Sequence, residues 1–156
     1  MSVFIGTYEN RVDRKGRTSV PASFRQILAT SAFQGIIAFR YKTPNAMEAC
    51  GLEFLELLDQ GISDYELFSE DHDALAFSLF GDSHQLPFDG EGRIILPPPL
   101  TEITGITDRA AFVGKGRTFQ IWEPEALKAH KAEAHAHALA QNLTLRVPRR
   151  PPGDAS

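Results

Sequence analysis

The sequence predicts an α+β, β-rich fold made of two related units with flanking helices. Three observations predict it. A nine-residue motif occurs twice, 76 positions apart. Each copy lies between short extended segments and is followed by proline and a short apolar stripe at helical spacing. Longer stripes between and after the copies read as further helices.

Composition sets the outer limits. The chain has 156 residues, 42% hydrophobic and 23% charged, which excludes collagen-like and low-complexity classes and excludes disorder for most of its length. Cys50 is the single cysteine, so no intrachain disulfide can form and a reducing cytoplasm fits. No apolar run approaches the ~18 residues of a membrane span. The segment from Met1 to Gly6 lacks a basic region followed by a long apolar stretch, which predicts neither a signal peptide nor membrane association.

The first motif copy is Asp13-Arg14-Lys15-Gly16-Arg17-Thr18-Ser19-Val20-Pro21. The second is Asp89-Gly90-Glu91-Gly92-Arg93-Ile94-Ile95-Leu96-Pro97. Asp, Gly, Arg and Pro coincide. Asp13 and Asp89 suit the start of a turn, because a short carboxylate accepts N–H bonds from its own loop. Gly16 and Gly92 supply the positive φ that such a turn requires. Residues 7–12 and 18–20 read as the arms of a β-hairpin with a cationic tip, and 85–88 lead into the second copy. Pro21 then opens a short helix with Phe24, Ile27 and Leu28 on one face. Pro97, Leu100 and Ile103 repeat this, with Pro98 and Pro99 limiting the helix to a turn or two.

The remaining elements follow in order. Residues 35–41 and 46–50 read as strands around a Pro44-Asn45 turn, and 110–113 and 118–122 as strands joined by residues 114–117. Residues 52–60 and 63–80 read as helices broken at Gly61, with Leu52, Leu55, Leu58, Leu75 and Leu79 as their apolar stripes. An Ala-, Glu- and Lys-rich stretch after Pro124 favours a helix to about Asn142. The expected organisation is unit 1 over 5–55, an acidic helical connector over 56–81, unit 2 over 82–126, a C-terminal helix over 127–142 and a disordered tail over 143–156.

Charge points to the chemistry. Net charge is −4 with a pI of about 5.7, yet Arg11, Arg14, Lys15, Arg17 and Arg25 face Asp13 alone within one short stretch. Residues 48–73 carry nine carboxylates and no Lys or Arg. A two-stranded ribbon fits the DNA major groove, arginine can bond guanine O6 and N7 bidentately, and further cations neutralise phosphates. Arg14-Lys15 is replaced by Gly90-Glu91 in the second copy, so the first copy is expected to make most contacts, with Arg93 contributing from the second.

Other chemistries fit less well. Asp13 and Asp89 could form an aspartyl dyad of a hydrolase, but the cations beside Asp13 favour ionisation over a shared proton. His130, His135 and His137 lack the i, i+4 spacing of a metal-binding helix face. Gly114-Lys115-Gly116-Arg117 lacks the remainder of a phosphate-binding loop, and Cys50 reads as core. No catalytic residue, metal or cofactor is expected.

The run from Tyr8 to Arg25, the second Asp89-to-Pro97 motif, Val113-Gly114-Lys115-Gly116 and Ile121-Trp122 together resemble the MraZ family over roughly residues 3–130. The resemblance implies two intrachain AbrB-like (SpoVT-AbrB) swapped-hairpin units forming one pseudo-twofold barrel. It also implies a bacterial transcriptional repressor that binds double-stranded DNA at G-rich direct repeats ahead of the division and cell-wall gene cluster. Such a protein would be cytoplasmic and nucleoid-associated and would assemble as a ring-like homo-oligomer, gaining avidity for repeated sites. Arg17, Lys15 and Arg93 match the family's DNA-contacting positions. An alternative is an antitoxin-like DNA-binding module that uses its C-terminal segment on a protein partner.

Overall fold

A computed structural model describes residues 2–148. Strands β1 (Thr7–Arg11) and β2 (Arg17–Ser19) flank the first motif, and α1 (Ala22–Leu28) follows it. β3 (Gly35–Phe39) and β4 (Met47–Cys50) complete the first unit. α2 (Leu52–Gly61) crosses the expected boundary at residue 55 into the connector, which goes on through a 3-10 turn at Ile62–Asp64, α3 (Glu70–Ala76) and a π-helical turn at Phe77–Gly81. β5 (His84–Pro87), β6 (Arg93–Ile95), α4 (Pro98–Thr104), β7 (Arg109–Gly114) and β8 (Phe119–Trp122) repeat the element order of the first unit. α5 (Pro124–Ala140) follows. The fold is therefore mixed α+β with antiparallel sheets.

Proline starts both short helices. The Pro21 carbonyl accepts the N–H groups of Phe24 and Arg25, each at 3.0 Å, and Pro97 does the same for Leu100 and Thr101. Pro98 and Pro99 cost nothing in the first turn of α4, where amide hydrogens have no intrahelical acceptor. The stripe then buries Phe24 and Leu28 in α1 and Leu100 in α4.

Six strands form one sheet in the order β1-β7-β8-β4-β3-β5, and β2 pairs with β6 in a separate ribbon. Replacing every strand by its counterpart in the other unit reverses this order and leaves it unchanged. At its middle, β4 pairs with β8 and Glu48 lies opposite Gln120.

Pairing follows the exchange of arms that the resemblance to swapped-hairpin units implied, and it departs from the local β-hairpin and from the closed barrel. β1 and β2 are not the two arms of one ladder: β1 pairs with β7 and β2 with β6, so each arm joins the other unit. The contact between β1 and β2 is instead made by the Asn10 side chain, whose Nδ2 donates to the Ser19 carbonyl at 2.6 Å. The expected closed barrel is also not found. The six-stranded sheet is open, with β1 and β5 at its edges, because the strands that would close it pair with each other in the ribbon.

The main core is shared by the two units. Val20, Phe24 and Leu28 from the first unit meet Leu96, Leu100 and Ile106 from the second. Phe24 has no exposed surface and sits edge-on to Phe4 at 5.2 Å and tilted against Phe119 at 4.9 Å. A second cluster, with Ile37, Phe39, Cys50, Ile62 and Leu79, lies between the sheet and the connector.

The connector departs from the long helix expected over 63–80. Phe68 has a positive φ of 69°, and Ser69 caps α3 by accepting the His72 N–H at 3.2 Å. The acidic residues Glu70, Asp71 and Asp73 then favour the first turn through the helix dipole. Residues 143–148 carry no helix or strand, and the rest of the tail expected over 143–156 lies outside the described residues. Among the described residues no helix is long and apolar enough to cross a membrane, and no group of three His, Cys, Asp or Glu is placed to hold a metal.

Candidate nucleic-acid interface

Both motif copies fold into the same turn. In the first, the Asp13 N–H donates to the Arg17 carbonyl at 3.0 Å and the Gly16 N–H to the Asp13 carbonyl at 2.9 Å. In the second, Asp89 donates to Arg93 at 2.9 Å and Gly92 to Asp89 at 3.1 Å. Gly16 and Gly92 have φ of 82° and 76°, the left-handed region that glycine enters without steric cost.

The aspartates do more than open the turn. Asp13 Oδ1 accepts the N–H groups of Lys15 at 3.0 Å and Arg17 at 2.8 Å, while Oδ2 accepts Arg17 Nε–H at 2.6 Å. Asp89 repeats all three bonds, with Glu91 N–H at 2.8 Å, Arg93 N–H at 3.0 Å and Arg93 Nε–H at 2.9 Å. The backbone N–H of Arg17 is the main cause holding the Asp13 carboxyl below the usual carboxylate range, and that of Arg93 does the same for Asp89. The bond to Asp89 in turn holds Arg93 more firmly protonated. Both guanidinium groups are therefore gripped at Nε. Their terminal nitrogens make no hydrogen bond to any of the described residues.

The two turns are fastened to one another. The Leu96 N–H donates to the Gly16 carbonyl at 2.8 Å, and the Val20 N–H to the Gly92 carbonyl at 3.3 Å. Between them, β2 and β6 pair Arg17 with Ile95, Thr18 with Ile94 and Ser19 with Arg93. Side chains alternate across a strand, so buried Thr18 and Ile94 face the core. Arg17, Ser19, Arg93 and Ile95 share the outward face. Arg17 and Arg93 are diagonal neighbours there, a relationship that spans roughly 7–8 Å in an antiparallel pair.

The other predicted cations occupy three settings. Arg14 and Lys15 are exposed at the first tip, and their side chains make no ion pair or hydrogen bond among the described residues. Arg11 is exposed at the end of β1, opposite Arg109, whose Nε lies 3.3 Å from Glu9. Arg25 is half-buried and donates from Nε to the Val20 carbonyl at 3.0 Å. Its guanidinium lies against the second turn, where a Cβ built on Gly92 would come within 2.5 Å of Nη1.

The ribbon face contains two residues that the sequence reading missed. Ser19 is exposed beside Arg93, and Ile95 is 58% exposed beside Arg17. Alternation against buried Ile94 was the available signal for Ile95. The second tip differs from the first in charge: Glu91 Oε2 lies 3.6 Å from Arg93 Nε, and Gly90 adds no cation.

Comparison with known proteins finds relatives over nearly the whole chain. A family model described as "MraZ protein, putative antitoxin-like" matches residues 79–147. A protein of Rickettsia bellii (strain OSU 85-389) named "Transcriptional regulator MraZ" is 45% identical over 147 residues, covering 94% of this chain and 98% of the relative. Proteins of the same name from Rickettsia akari and Rickettsia felis are 44% and 42% identical over 146 residues, with the same coverage.

Proposed function

The chain belongs to the MraZ family, and from that premise we propose that it is a transcriptional regulator, not an enzyme, which represses by inserting the β2–β6 ribbon into the major groove of operator DNA. One observation carries the reading. Arg17 and Arg93 stand diagonally on the outward face of one ribbon, each gripped at Nε with its terminal nitrogens unbonded among the described residues. A guanidinium presented in this way offers two N–H donors to guanine O6 and N7 with little rotamer freedom left to lose.

The other residues take supporting roles. Lys15, Arg14 and Arg11 neutralise phosphates beside the groove. Ser19 adds a hydroxyl and Ile95 an apolar surface for a thymine methyl. Arg25 contributes by bracing the second turn against α1, which keeps the two tips in fixed relation. The turn-forming Asp13, Gly16, Asp89 and Gly92 set the aim of the arginines. The reversal-invariant strand order supports a pseudo-twofold axis relating the two AbrB-like units, with the ribbon across it.

One ribbon makes few base contacts. A ring-like homo-oligomer would present several ribbons to G-rich direct repeats ahead of the division and cell-wall gene cluster, with avidity of ~10²–10⁴. The protein would act in the cytoplasm, on the nucleoid. No cofactor enters this mechanism. An aspartyl hydrolase is disfavoured, because Asp13 and Asp89 each spend one oxygen on backbone N–H groups and the other on an arginine, and both favour the ionised form.

Fluorescence anisotropy on a duplex of G-rich direct repeats against a scrambled duplex of equal length tests the proposal. A preference of at least about 1,000-fold at fixed salt is expected, the lower end of the usual margin of specific over non-specific binding. Equal affinities contradict it. The antitoxin-like reading draws on Leu139, Leu143, Leu145 and Val147, all more than 60% exposed around the end of α5. A stoichiometric second protein co-purifying with the intact chain would favour that reading.

A further inference from the structure

Away from the ribbon, a cavity of about 590 Å³ opens between the sheet and the connector. Its volume lies within the usual span of small-molecule pockets, roughly 300–1,000 Å³. Phe39 of β3, Phe54 and Leu58 of α2, Leu75 of α3 and Leu79 give it apolar walls. Glu48, Lys115 and Lys42 also line it and supply its charged groups.

Glu48 is the unusual member. Its side chain is 10% exposed, on a strand in the middle of the sheet. Oε1 accepts from Lys115 Nζ at 3.2 Å and from Gln120 Nε2. Gln120 is fixed in turn, because its Oε1 accepts the Trp122 Nε1–H at 2.9 Å. Oε2 takes no hydrogen bond from any of the described residues. Nor is it among the unpartnered polar atoms sealed within the protein, which are Thr18 Oγ1 and His72 Nδ1. Oε2 is therefore open to solvent through the cavity, where a donor on a bound molecule can bond it in place of water. Lys115 already balances the charge of Glu48 and Lys42 adds a further cation to the lining, so a neutral donor fits better than a cationic one.

We propose that this cavity is a binding site for a small, uncharged, largely apolar molecule carrying one N–H or O–H donor. Its body packs against Phe39, Phe54, Leu58 and Leu75, and its donor is received by Glu48 Oε2. The site shares no residue with the DNA-reading ribbon, so it stands or falls separately from the proposed function.

The probe is N-phenyl-1-naphthylamine, a neutral fluorophore with an apolar body and a single N–H, titrated into the full chain without DNA. Saturable binding of one probe per chain is expected, with intermolecular NOEs to the methyls of Leu58, Leu75 and Leu79. 1-Phenylnaphthalene, which lacks the donor, is expected to bind at least about tenfold more weakly, and Glu48→Gln to narrow that gap. Leu58→Trp fills the cavity and is expected to abolish binding, whereas Phe68→Ser, at an exposed site on the connector, leaves it unchanged. Absence of saturable binding overturns the proposal. So do equal affinities for the two probes, NOEs confined to other residues, or loss of binding in Phe68→Ser, which would assign the signal to the outer surface or to a second copy covering it. If Leu58→Trp does not fold, the NOEs and the two-probe comparison on the unmodified chain decide.

Discussion

Asp13 Oδ2 accepts the Nε–H of Arg17 at 2.6 Å, and the second unit repeats the bond between Asp89 and Arg93 at 2.9 Å. The motif thus couples a turn to an aimed guanidinium. Aspartate opens the loop, glycine lets it close, and the arginine after it is held by the aspartate four positions earlier. The device occurs twice, and pairing of β2 with β6 puts the two arginines on one face.

The grip makes a pH prediction. Both carboxyls lie below their ordinary range in the fold. The stability they contribute is therefore complete above the unfolded carboxyl pKa of about 3.9 and is lost as pH falls through the lower folded values. Urea unfolding followed between pH 6 and pH 2.5 should show this loss below about pH 4, and Asp13→Asn should flatten part of it. An unchanged acid profile in the double Asn variant contradicts the grip.

Gly92 and Gly105 form a controlled pair. Both have positive φ, but a Cβ on Gly105 meets nothing within 4 Å, whereas one on Gly92 meets the Arg25 guanidinium at 2.5 Å. Gly105→Ala should cost about 1–2 kcal/mol for backbone strain alone. Gly92→Ala should cost about 0.5–1.5 kcal/mol more, because the Arg25 side chain must swing away and give up its bond to the Val20 carbonyl, and it should also weaken DNA binding. Thermal or urea denaturation gives the difference.

Thr18 tests the assignment of faces. Its Oγ1 is buried without a hydrogen-bond partner among the described residues. Thr18→Val should be neutral or stabilising by about 1 kcal/mol, since it removes an unsatisfied polar atom and keeps the shape. DNA affinity should not change. A large loss of affinity would turn this side chain outward and contradict the ribbon geometry.

The Cys50 thiol is pushed up to about 12, first by burial and then by the negative charge of Glu48. It should resist alkylation at pH 8 in the native protein and react only at the rate of unfolding, because the thiolate is the nucleophile. Mass spectrometry after timed iodoacetamide exposure measures this.

Much of this was legible in the chain. The repeated Asp, Gly, Arg and Pro located both turns and both helix starts, and β3, β4, β7 and β8 fell close to the expected segments. Strand partners were not legible in periodicity or turn chemistry, because pairing across units depends on contacts distant in sequence and adjacency at a turn suggests a local hairpin; the family resemblance alone implied the exchange. The Asn10 bond that replaces the local ladder has no signature in hydrophobic periodicity. The Asp13–Arg17 spacing was visible in both copies, yet the carboxylate's hold on the guanidinium depends on loop geometry. In the connector the apolar stripe continued past Phe68, and the Ser69 cap decided where α3 starts.

The most direct measurement is the affinity of Arg17→Ala and Arg93→Ala for a G-rich direct-repeat duplex at ~100 mM salt, with oligomeric state and circular dichroism checked in parallel. Each replacement should cost about 10- to 100-fold, the value of a bidentate base contact, and the pair should abolish specific binding while the fold persists. Undiminished preference for the repeat duplex in the folded double variant contradicts the account.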